Sequence, residues 1–166
     1  MAVYQNVDLK TLGHIMVASD NLPAAVATTS QVETQNPTLP IIAKESWLEM
    51  PQLSINKLDA LNIYFIYPKY INPRSKAVRS FRRNFMAGYN IPPSSYAYSG
   101  FEMLYQFGNF LHAYGENFET FLPQMPTVSG ALYQGLNYQN ARDNQYVPIL
   151  KLEEGLLRVV NPVVNQ

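Results

Sequence analysis

Residues 61–73 of this chain have the sequence LNIYFIYPKYINP. The first half of the stretch is a short run of apolar and aromatic residues ended by a proline, which predicts a buried β-strand. Two similar runs precede it at 14–18 and 40–43, and helical patterns at 24–32 and 52–61 separate the three runs. Strand, helix, strand, helix, strand with short links is the signature of a parallel sheet with right-handed crossovers.

After this stretch the pattern changes to longer helices and then to strands. A helix is predicted over 73–88, with Asn72 as its cap and Pro73 in its first turn, and a second over 95–114, ended by Gly115. The last third alternates in polarity from residue 132 onwards, which predicts strands. We therefore expect an α/β fold that is Rossmann-like and three-layered, with a short parallel sheet, flanking helices and a C-terminal antiparallel hairpin. That hairpin turns at Glu153-Glu154-Gly155.

Length and composition narrow the function classes. A chain of 166 residues is an ordinary length for one domain. We expect a single domain over 13–160, preceded by an N-terminal extension or truncation boundary at 1–12 and followed by a tail at 161–166. The absence of cysteine excludes disulfides, thiolate metal sites and a cysteine nucleophile. The formal net charge is zero and no apolar run approaches membrane-spanning length, so neither nucleic acid nor a membrane span is expected.

The candidate catalytic and metal-binding residues are few. The sequence contains no dinucleotide, phosphate-loop, zinc-protease or hydrolase motif. The two histidines, His14 and His112, lie in apolar surroundings and are expected to be packed side chains rather than ligands. Arg79, Arg82 and Arg83 are expected to form a solvated helix face. We therefore predict a protein without catalytic residues, metal or cofactor.

A binding site is predicted at the carboxyl ends of the parallel strands, where open α/β sheets bind ligands. Three loops carry hydrogen-bonding and aromatic side chains there, at 19–21, 45–47 and 68–70. Asp20 or Glu45 can hold an amine through charge-assisted hydrogen bonds, with Trp47 or Tyr70 beneath it. The alternative is that these residues only form caps and turns.

Residues 61–73, followed by the spacing FxxxFxxxYxxxPxxYxYxGFE over 81–102, resemble type I periplasmic binding proteins. The resemblance is narrower still to the branch that binds branched-chain amino acids and amides, including relatives in bacterial envelopes without a transporter. Phe101-Glu102 stands where that family usually has Tyr-Asp. The resemblance covers residues 13–160 and corresponds to the final portion of the family's chain.

This resemblance implies a two-lobed clamp that closes on a small solute without chemistry. Residues 13–67 would belong to one lobe, to which the final strands return, and residues 72–122 would pack on the other. Because the sheet of that other lobe has no counterpart here, the chain would be a C-terminal fragment, and helices 73–88 and 95–114 would expose a large apolar face. That face would be buried either on the chain's own sheet or in a homodimer, which we favour.

The resemblance also implies site residues and partners. Glu45 matches the acidic residue that meets a ligand's ammonium, and Ser19 and Asp20 match a ligand-contacting turn. An amino acid or amide is the implied solute, the permease of an ABC transporter a further partner, and the periplasm or cell envelope the implied location. The alternative function is an envelope structural or interaction domain that kept this fold and lost the ligand.

Overall fold

A computed structural model describes residues 7–163, which fall into two compact units. The first unit comprises the chain up to Tyr67 together with Ile149–Asn161, and the second comprises Pro68–Pro148 and the residues after Asn161. The division after Tyr67, with the last strands returning to the first unit, agrees with the lobe assignment that the family resemblance implied. The single domain over 13–160 stays a prediction, and residues 1–6 of the N-terminal extension lie outside the described range, as do residues 164–166 of the tail.

The first unit is built on a five-stranded sheet with the strands in chain order. The first three strands run parallel, with Ile15, Ile41 and Ile63 in register, and the last two are antiparallel to their neighbours. The strands are β1 (Ile15–Val17), β2 (Ile41–Lys44), β3 (Ile63–Ile66), β4 (Ile149–Glu153) and β5 (Leu156–Val159). The predicted α/β class, the short parallel sheet and the C-terminal antiparallel hairpin are thus confirmed.

Capping residues set where the helices of this unit begin. Helix α1 (Leu22–Gln35) starts after Asn21, whose side-chain oxygen accepts a hydrogen bond from the Ala24 amide at 3.0 Å. Helix α2 (Ile55–Ala60) starts after Ser54, which caps the Lys57 amide in the same way at 3.2 Å. The Ser54 cap explains why α2 is shorter than the predicted span of 52–61.

Alternate residues of the central strands form the core of the first unit. Ile41 and Ala43 of β2 are buried, as are Ile63 and Phe65 of β3, because successive strand residues point to opposite faces of a sheet. The intervening residues are half-buried. One face of the sheet therefore carries the core, and the loops at the strand ends are held against it.

The second unit contains two long helices followed by a segment with little regular structure. They are α3 (Lys76–Tyr89) and α4 (Ser95–Tyr114), and short 3₁₀ turns continue the chain to Gln124. The segment between Met125 and Pro148 forms two isolated antiparallel bridges. One joins Tyr133 to Ile71, which precedes α3, and the other joins Val128 to Leu136 within the segment. The alternation over 132–138 predicted strands that did not form, because a period-two pattern without a continuous partner strand has no ladder to complete. The later alternating runs did form strands, β4 and β5.

The start of α3 also differs from the prediction. Ser75, rather than Asn72, caps the helix by accepting from the Val78 amide at 3.1 Å. The side chain of Asn72 accepts from the Arg74 amide at 2.9 Å instead, in a local turn that includes Pro73. The predicted cap was therefore wrong by three residues. The predicted end of α4 is confirmed at Gly115, which has φ +70°.

Helix α4 buries polar side chains and exposes apolar ones. Its buried residues are Glu102, Gln106 and Phe110, which share one side of the helix at i, i+4 and i+8. On the other side Leu104 is 80% exposed and Leu111 50% exposed. The exposed apolar face that the sequence predicted for this helix is confirmed.

Glu102 fastens the loop that follows the helices to α4. Its two carboxylate oxygens accept backbone N–H groups from Ala131 at 2.8 Å, Leu132 at 2.6 Å and Tyr133 at 3.1 Å. The Gln106 side chain donates to the same carboxylate at 3.2 Å. A buried charge is tolerated when it is hydrogen-bonded, and these four donors satisfy it.

Candidate functional site

The candidate site lies where the three parallel strands of the first unit end. β1 ends at Val17, β2 at Lys44 and β3 at Ile66. The carboxyl ends of parallel strands lie at one edge of the sheet, so the residues that follow them are brought together. The chain after β2 turns into a 3₁₀ helix, Glu45–Glu49, whose first residue directly follows the strand end.

Asp20 is held by two side chains from the end of β2. Lys44 forms an ion pair with one carboxylate oxygen, and the Ser46 hydroxyl donates a hydrogen bond to the other oxygen at a distance of 2.5 Å. The hydrogen bond from Lys44, followed by that from Ser46, lowers the pKa of the Asp20 carboxyl below its ordinary value of 3.8. Asp20 is exposed and ionised, but its charge is already matched by a cation.

Trp47 stabilises the turn after β1 through a hydrogen bond to its backbone. Its indole Nε1 donates to the Ser19 carbonyl at 3.0 Å, and the Ser19 hydroxyl accepts from the Asn21 amide at 3.1 Å. The side chain of Trp47 has no exposed surface. A ligand could touch this ring only after a local rearrangement, so its predicted contribution as an apolar floor stays a prediction.

Glu45 is a half-buried carboxylate at the end of β2. Within the described part of the chain it forms no hydrogen bond and no ion pair. It lies close enough to Tyr67 to act on its ionisation. Burial raises the pKa of the Tyr67 hydroxyl above its ordinary value of 10.0, and the carboxylates of Glu49 and then Glu45 raise it further.

This edge of the sheet therefore carries two groups of side chains that differ in net charge. Asp20, Lys44 and Ser46 form a neutralised cluster. The carboxylates of Glu45 and Glu49 form no ion pair in the described part of the chain, and both contribute to the raised pKa of the Tyr67 hydroxyl. The second group has excess negative charge and can accept hydrogen bonds from a cation. These carboxylates can therefore bind an ammonium group.

Tyr70 belongs to the second unit and is buried, with 8% of its surface exposed. Its contact with a ligand stays a prediction. Ser19, Asp20, Glu45 and Trp47 all belong to the first unit. Hydrogen bonds join the turn at 19–20 to Ser46 and Trp47, whereas the contact of Glu45 with this group stays a prediction.

Neither the pairing of Lys44 with Asp20 nor the effect of Glu45 on Tyr67 was predicted from the sequence. A signal for Lys44 was present: it is a charged residue at the end of an otherwise apolar strand. For Tyr67 the sequence offers no such signal, because it ends an apolar run whose other residues form the third strand.

The two histidines do not lie where the sequence placed them. His14 and His112 are exposed, so the expectation that both are packed side chains was wrong. His14 directly precedes the short edge strand β1, and His112 lies on the outer side of α4. Across residues 7–163, no three or more Asp, Glu or His side chains are grouped so as to hold a metal ion. None of the helices in that range is long and apolar enough to cross a bilayer.

No protein-family model and no curated protein sequence matches the chain. Solved structures that resemble it include an ABC transporter substrate-binding protein from Desulfitobacterium hafniense in complex with Leu, at 17% identity and a TM-score of 0.41. A second structure of an ABC transporter substrate-binding protein from this organism gives 15% identity and a TM-score of 0.42. Each alignment covers 82% of this chain and 40% of the other, so the chain spans about two fifths of the length of those proteins.

Proposed function

We propose that this chain is part of an extracytoplasmic solute-binding protein, without catalytic activity, whose first unit holds the ammonium group of an amino acid or amide solute. The observation that carries the proposal is Glu45. It is a half-buried carboxylate at the carboxyl end of a central parallel strand, it has no cation partner within residues 7–163, and its charge adds to burial and to Glu49 in raising the pKa of the Tyr67 hydroxyl.

The charge balance at the sheet edge supports Glu45 over Asp20 as the primary contact. Asp20 already has Lys44 and Ser46 as partners, so a ligand ammonium would have to compete with both. Glu45 offers its carboxylate without that competition. A charge-assisted hydrogen bond in a partly desolvated cleft is about twice as strong as a neutral one. We therefore assign the ammonium to Glu45 and give Asp20 and Ser19 the role of shaping the adjacent turn.

The sequence resemblance over residues 61–102 adds the biological setting to this proposal. It supports a location in the periplasm or cell envelope and the permease of an ABC transporter as the partner of the complete protein. A two-lobed clamp would desolvate the ligand from both sides. For the 166-residue chain alone we expect an affinity no tighter than about millimolar, near −4 kcal/mol.

Amide chemical shifts in the isotopically labelled chain test the proposal. The chain is titrated with a panel of amino acids and amides at millimolar concentrations. We expect shifts confined to the amides of 19–21 and 45–47 and to the Trp47 indole N–H, which donates to the Ser19 carbonyl.

Two variants and a matched control complete this experiment. Glu45→Gln is expected to reduce the shifts strongly at a given ligand concentration, and Asp20→Asn to reduce them less. Glu116→Gln, an exposed carboxylate of the second unit, serves as the control and is expected to leave them unchanged. Shifts that survive both site substitutions would place the site elsewhere. If no panel member produces shifts, the alternative of an envelope interaction domain replaces this proposal.

A further inference from the structure

Positive charge is concentrated in one short part of the chain. Half of the twelve Lys and Arg residues lie within residues 69–83, whereas no Asp or Glu lies between Asp59 and Glu102. The formal net charge of zero therefore coexists with a local excess of positive charge, and such an asymmetry indicates an anionic partner. The six cationic residues are Lys69, Arg74, Lys76, Arg79, Arg82 and Arg83.

Helix α3 places four of these cations along one side. Lys76, Arg79 and Arg83 are spaced at i, i+3 and i+7, which aligns side chains on one face of a helix, and Arg82 follows Arg79 by three residues. All four residues are exposed. We define the cationic face as these four side chains. At 1.5 Å per residue it is about 10 Å long, which is about one Debye length at 0.1 M salt, so the four charges act together.

The other side of α3 is occupied by packing contacts. Val78 is buried, and the ring of Phe81 lies 4.8 Å from that of Phe101 on α4. Ala77, Phe81 and Phe85 line the groove between the two helices, and none of the four cations does. This packed side is the one for which the family resemblance implies a covering lobe. The cationic face points away from it and therefore stays accessible whether or not such a lobe is present.

The cationic face is not neutralised within its own unit. The ion pairs among residues 7–163 use Lys44, Lys57 and Arg158, and none of these residues lies on α3. The four cations also form no side-chain hydrogen bond in that range. A solvated helix face is usually balanced by acidic residues three or four positions away, but α3 contains no Asp or Glu. The face thus carries four positive charges that no acidic side chain of the helix offsets.

An extended anionic surface fits this face better than a protein partner does. The centre of a protein interface is depleted of charged residues, whereas the cationic face consists of charged residues alone. A helix with Lys and Arg on its polar side is typical of a contact with an anionic bilayer. Because the apolar side of α3 packs within its own unit, such a contact is electrostatic and needs no insertion.

We propose that the cationic face of α3 binds the surface of an anionic bilayer, with the helix parallel to the membrane plane and its cations on the lipid phosphates. Three of the four cations are arginines, whose planar guanidinium groups hydrogen-bond phosphate oxygens in pairs. Each Lys or Arg near an anionic bilayer strengthens binding by about fivefold. This inference concerns the second unit and is independent of the solute site.

Vesicle sedimentation tests the contact. The wild-type chain is mixed with phosphatidylcholine vesicles that contain or lack phosphatidylglycerol, in about 0.1 M salt. We expect binding to the anionic vesicles at least about tenfold stronger than to the neutral ones, and its loss in about 1 M salt, where the Debye length falls to about 3 Å. Equal binding to both kinds of vesicle would assign it to exposed apolar side chains and overturn the proposal.

A double substitution with a matched control locates the binding surface. Arg79→Gln combined with Arg83→Gln is expected to weaken binding to anionic vesicles by about 25-fold, a factor of about five for each charge. Glutamine is a good helix former, so α3 should persist, which circular dichroism verifies. The control, Lys10→Gln combined with Arg142→Gln, removes the same charge from exposed residues outside α3. It is expected to weaken binding by less than about threefold, because charges beyond a Debye length from the bilayer are screened.

Further outcomes also decide the proposal. Arg79→Lys combined with Arg83→Lys keeps the charge and is expected to retain most of the binding, which supports electrostatic attachment. The absence of binding to anionic vesicles overturns the proposal, as do equal effects of the two glutamine double variants. Tighter binding to polyglutamate or to duplex RNA than to the anionic vesicles overturns it as well, and assigns the cationic face to an acidic protein or a nucleic acid.

Discussion

At the scale of single residues, Glu102 is the side chain on which the second unit depends most clearly. It is a buried carboxylate with three backbone N–H donors and one amide donor around its two oxygens. Hydrogen bonds to charged groups contribute more than neutral ones, and a buried donor left without an acceptor is costly. Glu102 thereby fixes the path of the chain at 131–133.

Replacing Glu102 by glutamine tests this role. The amide group would present a donor to a backbone donor, so we expect Glu102→Gln to lower the free energy of unfolding by about 2–4 kcal/mol. Urea denaturation measures the change. The control Glu116→Gln removes an exposed carboxylate and should change the stability by less than about 0.5 kcal/mol. Equal effects of the two substitutions would contradict the role of Glu102.

Gly130 offers an independent test of the same contact. A Cβ at this position would lie 2.5 Å from the Glu102 Oε1 and 2.7 Å from the Tyr133 carbonyl oxygen. We expect Gly130→Ala to destabilise the protein by about 1–3 kcal/mol because the backbone must shift. Gly88→Ala in α3 meets no atom within 4 Å and should be neutral or stabilising by up to about 1 kcal/mol. Thermal or urea unfolding that ranks the two glycines in the opposite order would refute this geometry.

The raised pKa of Tyr67 predicts that the free energy of unfolding falls at alkaline pH. Its pKa is raised above 10.0 by burial and then by the carboxylates of Glu49 and Glu45, so the folded state holds the proton more tightly than the unfolded chain. The stability that this group contributes is present below pH 10.0 and is lost as pH rises through the raised pKa.

Tyrosinate absorbance during an alkaline titration measures the effect. We expect Tyr67→Phe to remove a late-titrating component, and Glu49→Gln to move that component to lower pH. Tyr96→Phe, in which an 84% exposed ring is changed, should leave the late component in place. Burial also raises the pKa values of Tyr138 and Tyr146, so the late component should shrink in Tyr67→Phe but not vanish. A late component of unchanged amplitude in Tyr67→Phe would show that Tyr67 is not among the residues that titrate late.

At the scale of elements, the β4–β5 hairpin has a strained turn residue. Glu154 and Gly155 both have positive φ, 55° and 73°, and the Gly155 amide donates to the Asp59 carboxylate on α2 at 3.1 Å. A two-residue turn with positive φ at both positions favours Asn-Gly. We expect Glu154→Asn to raise the free energy of unfolding by about 0.5–1 kcal/mol, because asparagine tolerates this conformation better. Chemical denaturation measures it, and a loss of stability would contradict the turn assignment.

The elements also show how far sequence patterns reach. The strands at 40–43 and 62–67 could be predicted, because a short apolar run that ends at a polar residue or a proline is typical of a buried strand. The start of α3 could not be placed correctly, since Asn72 and Ser75 are both good caps three residues apart and local hydrogen bonds decide between them. The apolar face of α4 was predictable from helical spacing, but the burial of its polar side was not, because it depends on the loop at 131–133.

At the scale of the whole molecule, the sequence predicted which sheet edge carries the proposed site but not the charge balance there. Fold topology places the residues after β1 and β2 at one edge, and this follows from the order of elements alone. The pairing of Lys44 with Asp20 joins residues that are 24 positions apart, and it depends on strand register and on rotamers. Because Lys44 pairs with Asp20, Glu45 is left without a cation partner among the described residues at this edge.

The most direct test of the proposed function is the coupling between a ligand's ammonium and Glu45. L-leucine and 4-methylpentanoate, which has the same carbon skeleton without the ammonium, are titrated into the wild-type chain and into Glu45→Gln, and amide shifts give the four dissociation constants. The wild-type chain is predicted to prefer L-leucine by about tenfold or more, equivalent to about 1.4 kcal/mol, and Glu45→Gln to lose that preference. An equal preference in both proteins would contradict the assignment of the ammonium to Glu45.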